Sequence, residues 1–201
     1  MHQTGIIILA AGNSSRLGRP KQLLPFDNKL LVQHAVDVAL QAKPGAVVVV
    51  TGAGAAEVSA ALLGRGATII CNKNWPEGMA SGIVAGLENL LQLDNAIKNI
   101  LISVCDQPYV SAPLFITLLE KKRETGKGII ACAYAGTLGT PVLFDRKYTK
   151  DLLQLKGKEG AKSLVRNLEK DVATVNFTKG SIDIDTEEDY SALLSLFNSQ
   201  D

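Results

Sequence analysis

The 201-residue sequence predicts an α/β fold, a largely parallel sheet with helices covering both faces. Three observations carry that expectation. Apolar runs of strand length alternate with amphipathic runs of helix length from residue 4 to residue 133, and a βαβα order builds a parallel sheet between two helix layers. Hydrophobic content is 46% while aromatic content is only 5%, so there is enough Ala, Val, Leu and Ile for an aliphatic core. Small or polar loops follow the strands at Ala11-Gly12, Thr51-Gly52, Asn72-Lys73 and Cys105-Asp106. They fall on the carboxyl rim of the sheet, where ligands of such folds bind.

The elements follow in order. Residues 4–10 form the first buried strand. Residues 30–42 read as a helix with Leu31, Ala35, Val38 and Ala39 on one face, ended by Pro44-Gly45. Residues 46–50 are a second buried strand and 57–63 a short helix stopped by Gly64 and Gly66. Residues 67–71 are a third strand. The helix over 80–93 turns Ile83, Val84, Leu87, Leu90 and Leu91 inward, and 99–104 is the fourth strand. Ser111 caps a helix over 112–124, with Pro113 tolerated in its first turn. Residues 128–133 are the fifth strand. Beyond it the pattern is less regular: a Gly/Pro-punctuated strand pair over 137–144, helices over 148–155 and 161–168, a strand over 172–177, an extended piece over 181–185 and a final helix over 187–197. No repeat or linker divides the chain, so 1–201 is expected to be one domain.

Bulk properties exclude several function classes. The formal net charge of +1 gives no global attraction for nucleic acid or an anionic membrane. Cys71, Cys105 and Cys132 are odd in number and have no C-x-x-C spacing; they read as small buried hydrophobes of a reducing cytoplasm rather than as disulfides or a zinc site. The apolar run 5–9 is too short for a signal peptide, and no stretch has the length of a transmembrane helix.

The chemistry gathers at Leu9-Ala10-Ala11-Gly12-Asn13-Ser14-Ser15-Arg16-Leu17-Gly18-Arg19-Pro20-Lys21. Small side chains allow a backbone to approach a bulky anion, and successive N–H groups can then point at phosphate oxygens. Arg16 offers a bidentate fork and Lys21 a mobile point charge. The loop is neither a Walker A motif nor a G-x-G-x-x-G fingerprint, because five residues separate Gly12 from Gly18 and Arg19-Pro20 follows. Asp106, at the tip of the fourth strand in Val104-Cys105-Asp106-Gln107-Pro108, is an oxygen donor of the kind Mg²⁺ prefers. In Asp183-Ile184-Asp185-Thr186-Glu187-Glu188-Asp189, Thr186 and Asp189 have the spacing of a capping pair. Asp183 and Asp185 alternate with Ile184, so one of them can add a second carboxylate to the same cation. Gly78 to Gly82 forms a small-residue start to a helix, with Trp75 before it as a packing anchor. His2 and His34 are placed for no catalytic arrangement.

These motifs resemble those of the MobA-like nucleotidyltransferase family and, within it, the molybdenum-cofactor cytidylyltransferase branch. The likeness runs over almost the whole chain: the 9–21 motif with Leu23-Leu24-Pro25, Asn74-Trp75 to Gly82, Cys105-Asp106-Gln107-Pro108, Gly139-Thr140-Pro141 and Asp183 to Asp189. The resemblance implies a Rossmann-like three-layer α/β/α fold of the nucleotide-diphosphosugar transferase type with a mixed, mostly parallel sheet. It implies that Leu9, Ala10, Ala11, Gly12 and Thr51 face the nucleotide, that Arg16 and Lys21 neutralise the triphosphate, and that Gly78, Met79, Ala80 and Ser81 meet base or ribose. Asp106 would hold Mg²⁺ together with Asp185, with Asp183 as the alternative.

Ala11 stands where the guanylyl branch has Gly, which implies CTP rather than GTP. The implied acceptor is a phosphorylated small molecule such as molybdopterin, bound over roughly 134–170, and an implied partner is a client molybdoenzyme. Here the chain departs from the branch. Leu138 and Thr140 replace Arg and His of G-x-R-G-H-P, and Lys158 and Lys162 replace the acid and Arg of G-D-x-G-A-R. A non-catalytic carrier of nucleotide or cofactor, and a nucleotidyltransferase for another phosphorylated acceptor, are the competing readings.

Overall fold

The computed structural model describes residues 1–198. Its centre is a seven-stranded sheet in the order β5-β4-β1-β6-β8-β7-β9. The strands are β1 (Thr4–Ala10), β4 (Ala46–Thr51), β5 (Thr68–Cys71), β6 (Asn99–Val104), β7 (Ile129–Tyr134), β8 (Thr137–Asp145) and β9 (Val172–Asn176). Strand β8 runs antiparallel to both its neighbours, and every other pairing is parallel. The fold is therefore the mixed, mostly parallel α/β sheet that the sequence leads one to expect.

Strand alternation sorts the core into two layers, because successive side chains point to opposite faces. Ile6 and Ile8 pack with Val36 of α1 (Leu31–Gln41), Val58 of α2 (Ala55–Ala61) and Phe115 of α4 (Ala112–Thr125). Ile7 and Leu9 pack with Ile83 and Leu87 of α3 (Met79–Leu93), Leu152 of α5 (Thr149–Leu153) and Val165 of α6 (Lys162–Asn167). Helix α3 lies close on the sheet because Gly86 has no side chain; a Cβ there would sit 2.6 Å from Ile7 and 2.9 Å from Val50. A third cluster joins Leu17, Leu24, Phe26 and Leu31 to Ile184 and to Tyr190 and Leu193 of α7 (Glu187–Asn198). It pins the end of the chain against the loop after β1.

Several elements differ from expectation. Residues 137–144 are not a strand pair but part of one nine-residue strand, hairpinned to β7 with a register shift at Ala131/Cys132. Pro141 is accommodated through a cis Thr140–Pro141 bond. A two-residue hairpin, β2 (Pro25–Phe26) with β3 (Lys29–Leu30), is too short to leave a periodic trace. The expected extended stretch 181–185 is preceded by a 3-10 turn, Thr178–Ser181. Cys71 is exposed, unlike the buried Cys105 and Cys132, because β5 is the sheet edge. Ser111 does cap α4, accepting from Leu114 N at 3.4 Å. Among the described residues, no helix is long and apolar enough to cross a membrane.

Candidate functional site

Strands β4 and β5 extend the sheet to one side of β1, and β6 with its neighbours to the other. The carboxyl ends of β1 and β6 therefore meet where the connections change direction, the usual crevice of an open α/β sheet. Leu9 pairs with Val104, and Cys105 N donates to Leu9 O at 3.2 Å. That register sets Ala10 to Gly12 beside Asp106.

The loop after β1 is shaped from within. Ser14 adopts a positive φ of 51°, its carbonyl accepts from Leu17 N and Gly18 N, and its hydroxyl accepts from Lys21 N at 3.0 Å. Gln22 is buried, and its Nε2 donates to Ala10 O at 3.0 Å and Gly12 O at 2.8 Å. One side chain thus ties both ends of the small-residue segment, leaving a backbone that a phosphate can approach.

Charged groups converge over this loop. Lys21 Nζ lies 2.5 Å from Asp106 Oδ2 and 2.8 Å from Asp185 Oδ1, and Arg16 Nη2 lies 2.5 Å from Asp185 Oδ2. Asp185 arrives there because Ile184 is buried in the third cluster and its N–H donates to Asp106 O at 3.1 Å. The reciprocal cap of α7 holds the segment next to it: Asp189 Oδ2 accepts from Thr186 N at 2.8 Å, and Thr186 Oγ1 accepts from Asp189 N at 3.2 Å. Outside the cluster, Arg19 makes a two-pronged bond to Glu187 at 2.7 and 2.9 Å.

Electrostatics follow the geometry. Burial works against the Lys21 charge, but Asp106 and Asp185 outweigh it and raise its pKa. Burial opposes the Asp185 charge too, and Lys21 and Arg16 more than compensate, holding its pKa below the usual value. Asp183 goes the other way, pushed up by burial and by the nearby Asp106 and Asp185. Burial and Asp106 lift the Cys105 thiol to about 12, so it is no nucleophile. His34 is half-buried with Nε2 3.1 Å from Pro108 O, a structural contact.

Two carboxylates thus converge on one cation position, which the Lys21 ammonium fills. Among the described residues no group of three or more His, Cys, Asp or Glu forms a ready-made cage. Two hard oxygen donors nonetheless suit Mg²⁺ or Mn²⁺, which keep several waters and take further ligands from substrate phosphates. The residues present fit a divalent cation shared with a triphosphate.

Asp106 separates two cavities. One, of about 460 Å³, is lined by Leu9, Ala10, Ala11, Gly12, Lys21, Gly78, Met79 and Asp106 of the expected residues. It is also lined by Asn13 and Asn72, from loops expected on this rim, and by Gln22, Trp75 and Lys158, which residue types alone did not place there. The second, of about 350 Å³, lies across Asp106 and Met79. Its walls include Ile83, Ile102, Leu138, Val142 and Val165, with Gln107, Tyr134, Thr140, Lys162 and Asp183 as polar groups.

Five expected contacts lie outside both linings: Arg16 and Asp185, held in the ion-pair cluster, and Thr51, Ala80 and Ser81. Thr51 is buried and donates to Ile70 O at 2.9 Å. Ala80 is buried at the start of α3, where its N–H donates to Gly157 O at 3.2 Å. The Ser81 hydroxyl accepts from Asn72 Nδ2 at 2.8 Å and bonds Gly78 O at 2.8 Å, folding the loop before α3.

The family model described as "MobA-like NTP transferase domain" matches residues 6–172. Nicotine blue oxidoreductase of Paenarthrobacter nicotinovorans is 35% identical over 141 residues, covering 70% of this chain; the match spans 66% of that protein's length. A crystal structure of the Mycobacterium tuberculosis Rv0371c homolog from Mycobacterium sp. strain JC1 superposes with a TM-score of 0.86 at 27% identity, covering 100% of this chain and 99% of that one. Rv0371c of Mycobacterium tuberculosis in complex with manganese gives 0.79 at 26% identity, covering 96% and 98%.

Proposed function

Because this chain belongs to the MobA-like NTP transferase family, we propose that it transfers CMP from CTP to a phosphorylated acceptor, molybdopterin being the leading candidate, and releases pyrophosphate. The observation that carries the proposal is the Lys21–Asp106–Asp185 cluster at the boundary of two cavities. One cavity suits the nucleotide and the other the acceptor, with the reacting phosphates meeting at Asp106.

Each residue then has a task. The backbone of Ala11 and Gly12 receives the triphosphate, and Lys21 and Arg16 neutralise it. Gly78 and Met79 border the nucleoside, and the Ala11 methyl disfavours the larger guanine. Asp106 and Asp185 hold Mg²⁺, with Asp183 as the alternative; the manganese complex of Rv0371c supports a divalent site in such a protein. When bound, the metal withdraws charge from the triphosphate and steadies the leaving group. An acceptor phosphate oxygen bonds to the α-phosphorus of CTP while the bond to the β-phosphate oxygen breaks. A phosphate monoester is largely ionised near neutrality, so alignment and charge neutralisation suffice without a general base.

The acceptor segment 134–170 lines part of the second cavity, which Asp106, Gln107 and Asp183 also border. Lys162 provides its positive charge, while Leu138 and Thr140 give an apolar and a hydroxylic wall. The deciding experiment is Mg²⁺-dependent pyrophosphate release with CTP and molybdopterin. Release supports the transferase, and tight binding of both substrates without release supports a carrier instead.

A second reading follows from the likeness to an enzyme named nicotine blue oxidoreductase. The apolar cavity would then take a flat substrate for reduction. It leaves the Lys21–Asp106–Asp185 cluster without a task, and consumption of a reduced dinucleotide in the presence of nicotine blue tests it.

A further inference from the structure

Gln107 follows Asp106 directly and is only 6% exposed. Both polar atoms of its side chain are engaged inside the protein. Nε2 donates to Gly180 O at 2.7 Å and to the Tyr134 hydroxyl at 3.3 Å, and Oε1 accepts from the Thr140 hydroxyl at 3.0 Å. These partners lie on three segments: the end of β7, the middle of β8, and the return from β9 toward Asp183 and Asp185.

That return poses a geometric problem. Strand β9 is the sheet edge, and β8 and β7 separate it from β6. To set Asp185 beside Asp106 the chain must cross the ends of both intervening strands. No ladder of sheet bonds sets the separation, since β6 and β9 are not neighbours. Besides the Lys21 ammonium that bridges the two carboxylates, two polar contacts hold the crossing itself, Ile184 N to Asp106 O at 3.1 Å and Gln107 Nε2 to Gly180 O at 2.7 Å. The surroundings leave no slack. A Cβ on Gly139 would collide with the Tyr134 hydroxyl, and one on Gly180 would sit 2.5 Å from the Tyr134 ring.

We infer that Gln107 is a positioning residue whose carboxamide fixes the distance from Asp106 to the segment bearing Asp183 and Asp185, and so sets the affinity of these carboxylates for a divalent cation. The inference rests on the metal-dependent reading of the site. Glu cannot substitute, because a carboxylate cannot donate to Gly180 O and adds negative charge beside Asp106. Partners that hold metal-binding side chains in place commonly govern metal affinity by about 10–100-fold.

The test is titration of the full-length protein with Mn²⁺ alone, followed by electron paramagnetic resonance, for wild type, Gln107→Leu and Thr140→Val. The metal dependence of pyrophosphate release is measured in parallel. Gln107→Leu is expected to weaken Mn²⁺ binding by about 10–100-fold. At saturating Mn²⁺ its turnover should return toward wild type with KM for CTP unchanged, a rescue that a general packing defect would not allow. Thr140→Val removes one bond to the carboxamide and should shift affinity less, in the same direction; it decides the matter if Gln107→Leu does not fold. Wild-type Mn²⁺ affinity in the folded variant overturns the inference, as does wild-type protein that binds no Mn²⁺. Wild-type Mn²⁺ binding without pyrophosphate release would defeat the transferase reading and still leave the affinity comparison decisive.

Discussion

Lys21 Nζ sits 2.5 Å from Asp106 Oδ2, so the cation suited to a triphosphate is held by an acid suited to a metal. Under the proposed function Lys21 would turn from the carboxylates to a phosphate, and Asp106 and Asp185 would then be free to hold the metal. Lys21→Met should lower pyrophosphate release by about 10²–10³-fold, the range for losing one key electrostatic stabiliser. It should also tighten Mn²⁺ binding in the absence of nucleotide, because no ammonium competes. Rate measurement and Mn²⁺ titration of the same preparation check both directions.

Asp106→Ala should cost a similar factor in turnover, about 10²–10³, since among the described residues no other carboxylate borders both cavities. Near-normal pyrophosphate release by this variant would remove Asp106 from the reaction.

Ile184 is fully buried and lies between Asp183 and Asp185. Ile184→Ala should destabilise the fold by about 2–5 kcal/mol, as for other large-to-small core changes. It should also weaken metal binding, because the segment loses its anchor. Urea unfolding measures the first effect and Mn²⁺ titration the second; a stability loss with unchanged metal affinity would mean that backbone bonds alone hold the segment.

Gly78 has a φ of 111°, and a Cβ there would lie 2.7 Å from Gly157 O. Gly78→Ala thus meets both backbone strain and a backbone clash, worth about 1–3 kcal/mol for the strain alone. Because Gly78 lines the cavity proposed for the nucleotide, affinity for CTP should fall together with the melting temperature.

Asp171 supplies a pH signature away from the site. Hydrogen bonds from Lys147 and from the Tyr148 hydroxyl bring its pKa down from 3.8 to about 2. A carboxyl depressed by folding stabilises the protein above its unfolded pKa, and that contribution is lost as the pH falls through the folded one. Stability should drop between about pH 4 and 2. Asp171→Asn should be less stable near neutrality and show a shallower drop in that window, checked by urea unfolding at a series of pH values.

The first two-thirds of the fold was legible because its strands are uninterrupted aliphatic runs and its helices show one apolar face. Ile6 to Leu9 announces a strand buried on both sides. The hairpin of β7 and β8 was not legible in the same way, since Gly139 and Pro141 signal a break in a strand that continues through a cis bond. In the site, Lys21, Asp106 and Asp185 announce themselves by charge and position. Gln22 and Gln107 do not, because neutral amides matter here only through partners far away in sequence. Thr51 and Ser81 carry hydroxyls suited to a ligand, yet backbone carbonyls take them up, that of Ile70 on the next strand and that of Gly78. Lys158 read as part of the acceptor segment, and it lines the cavity beside Ala11 and Gly12 rather than the one beside Leu138.

The most direct measurement is thermal unfolding with CTP, GTP, UTP and ATP, each with and without Mg²⁺. A ligand that binds only the folded state raises the melting temperature according to its affinity. The expected result is a Mg²⁺-dependent rise that is largest for CTP, and its loss in Asp106→Ala and Lys21→Met. A larger rise with GTP would contradict the role given to Ala11, and no rise with any triphosphate would contradict the nucleotide site itself.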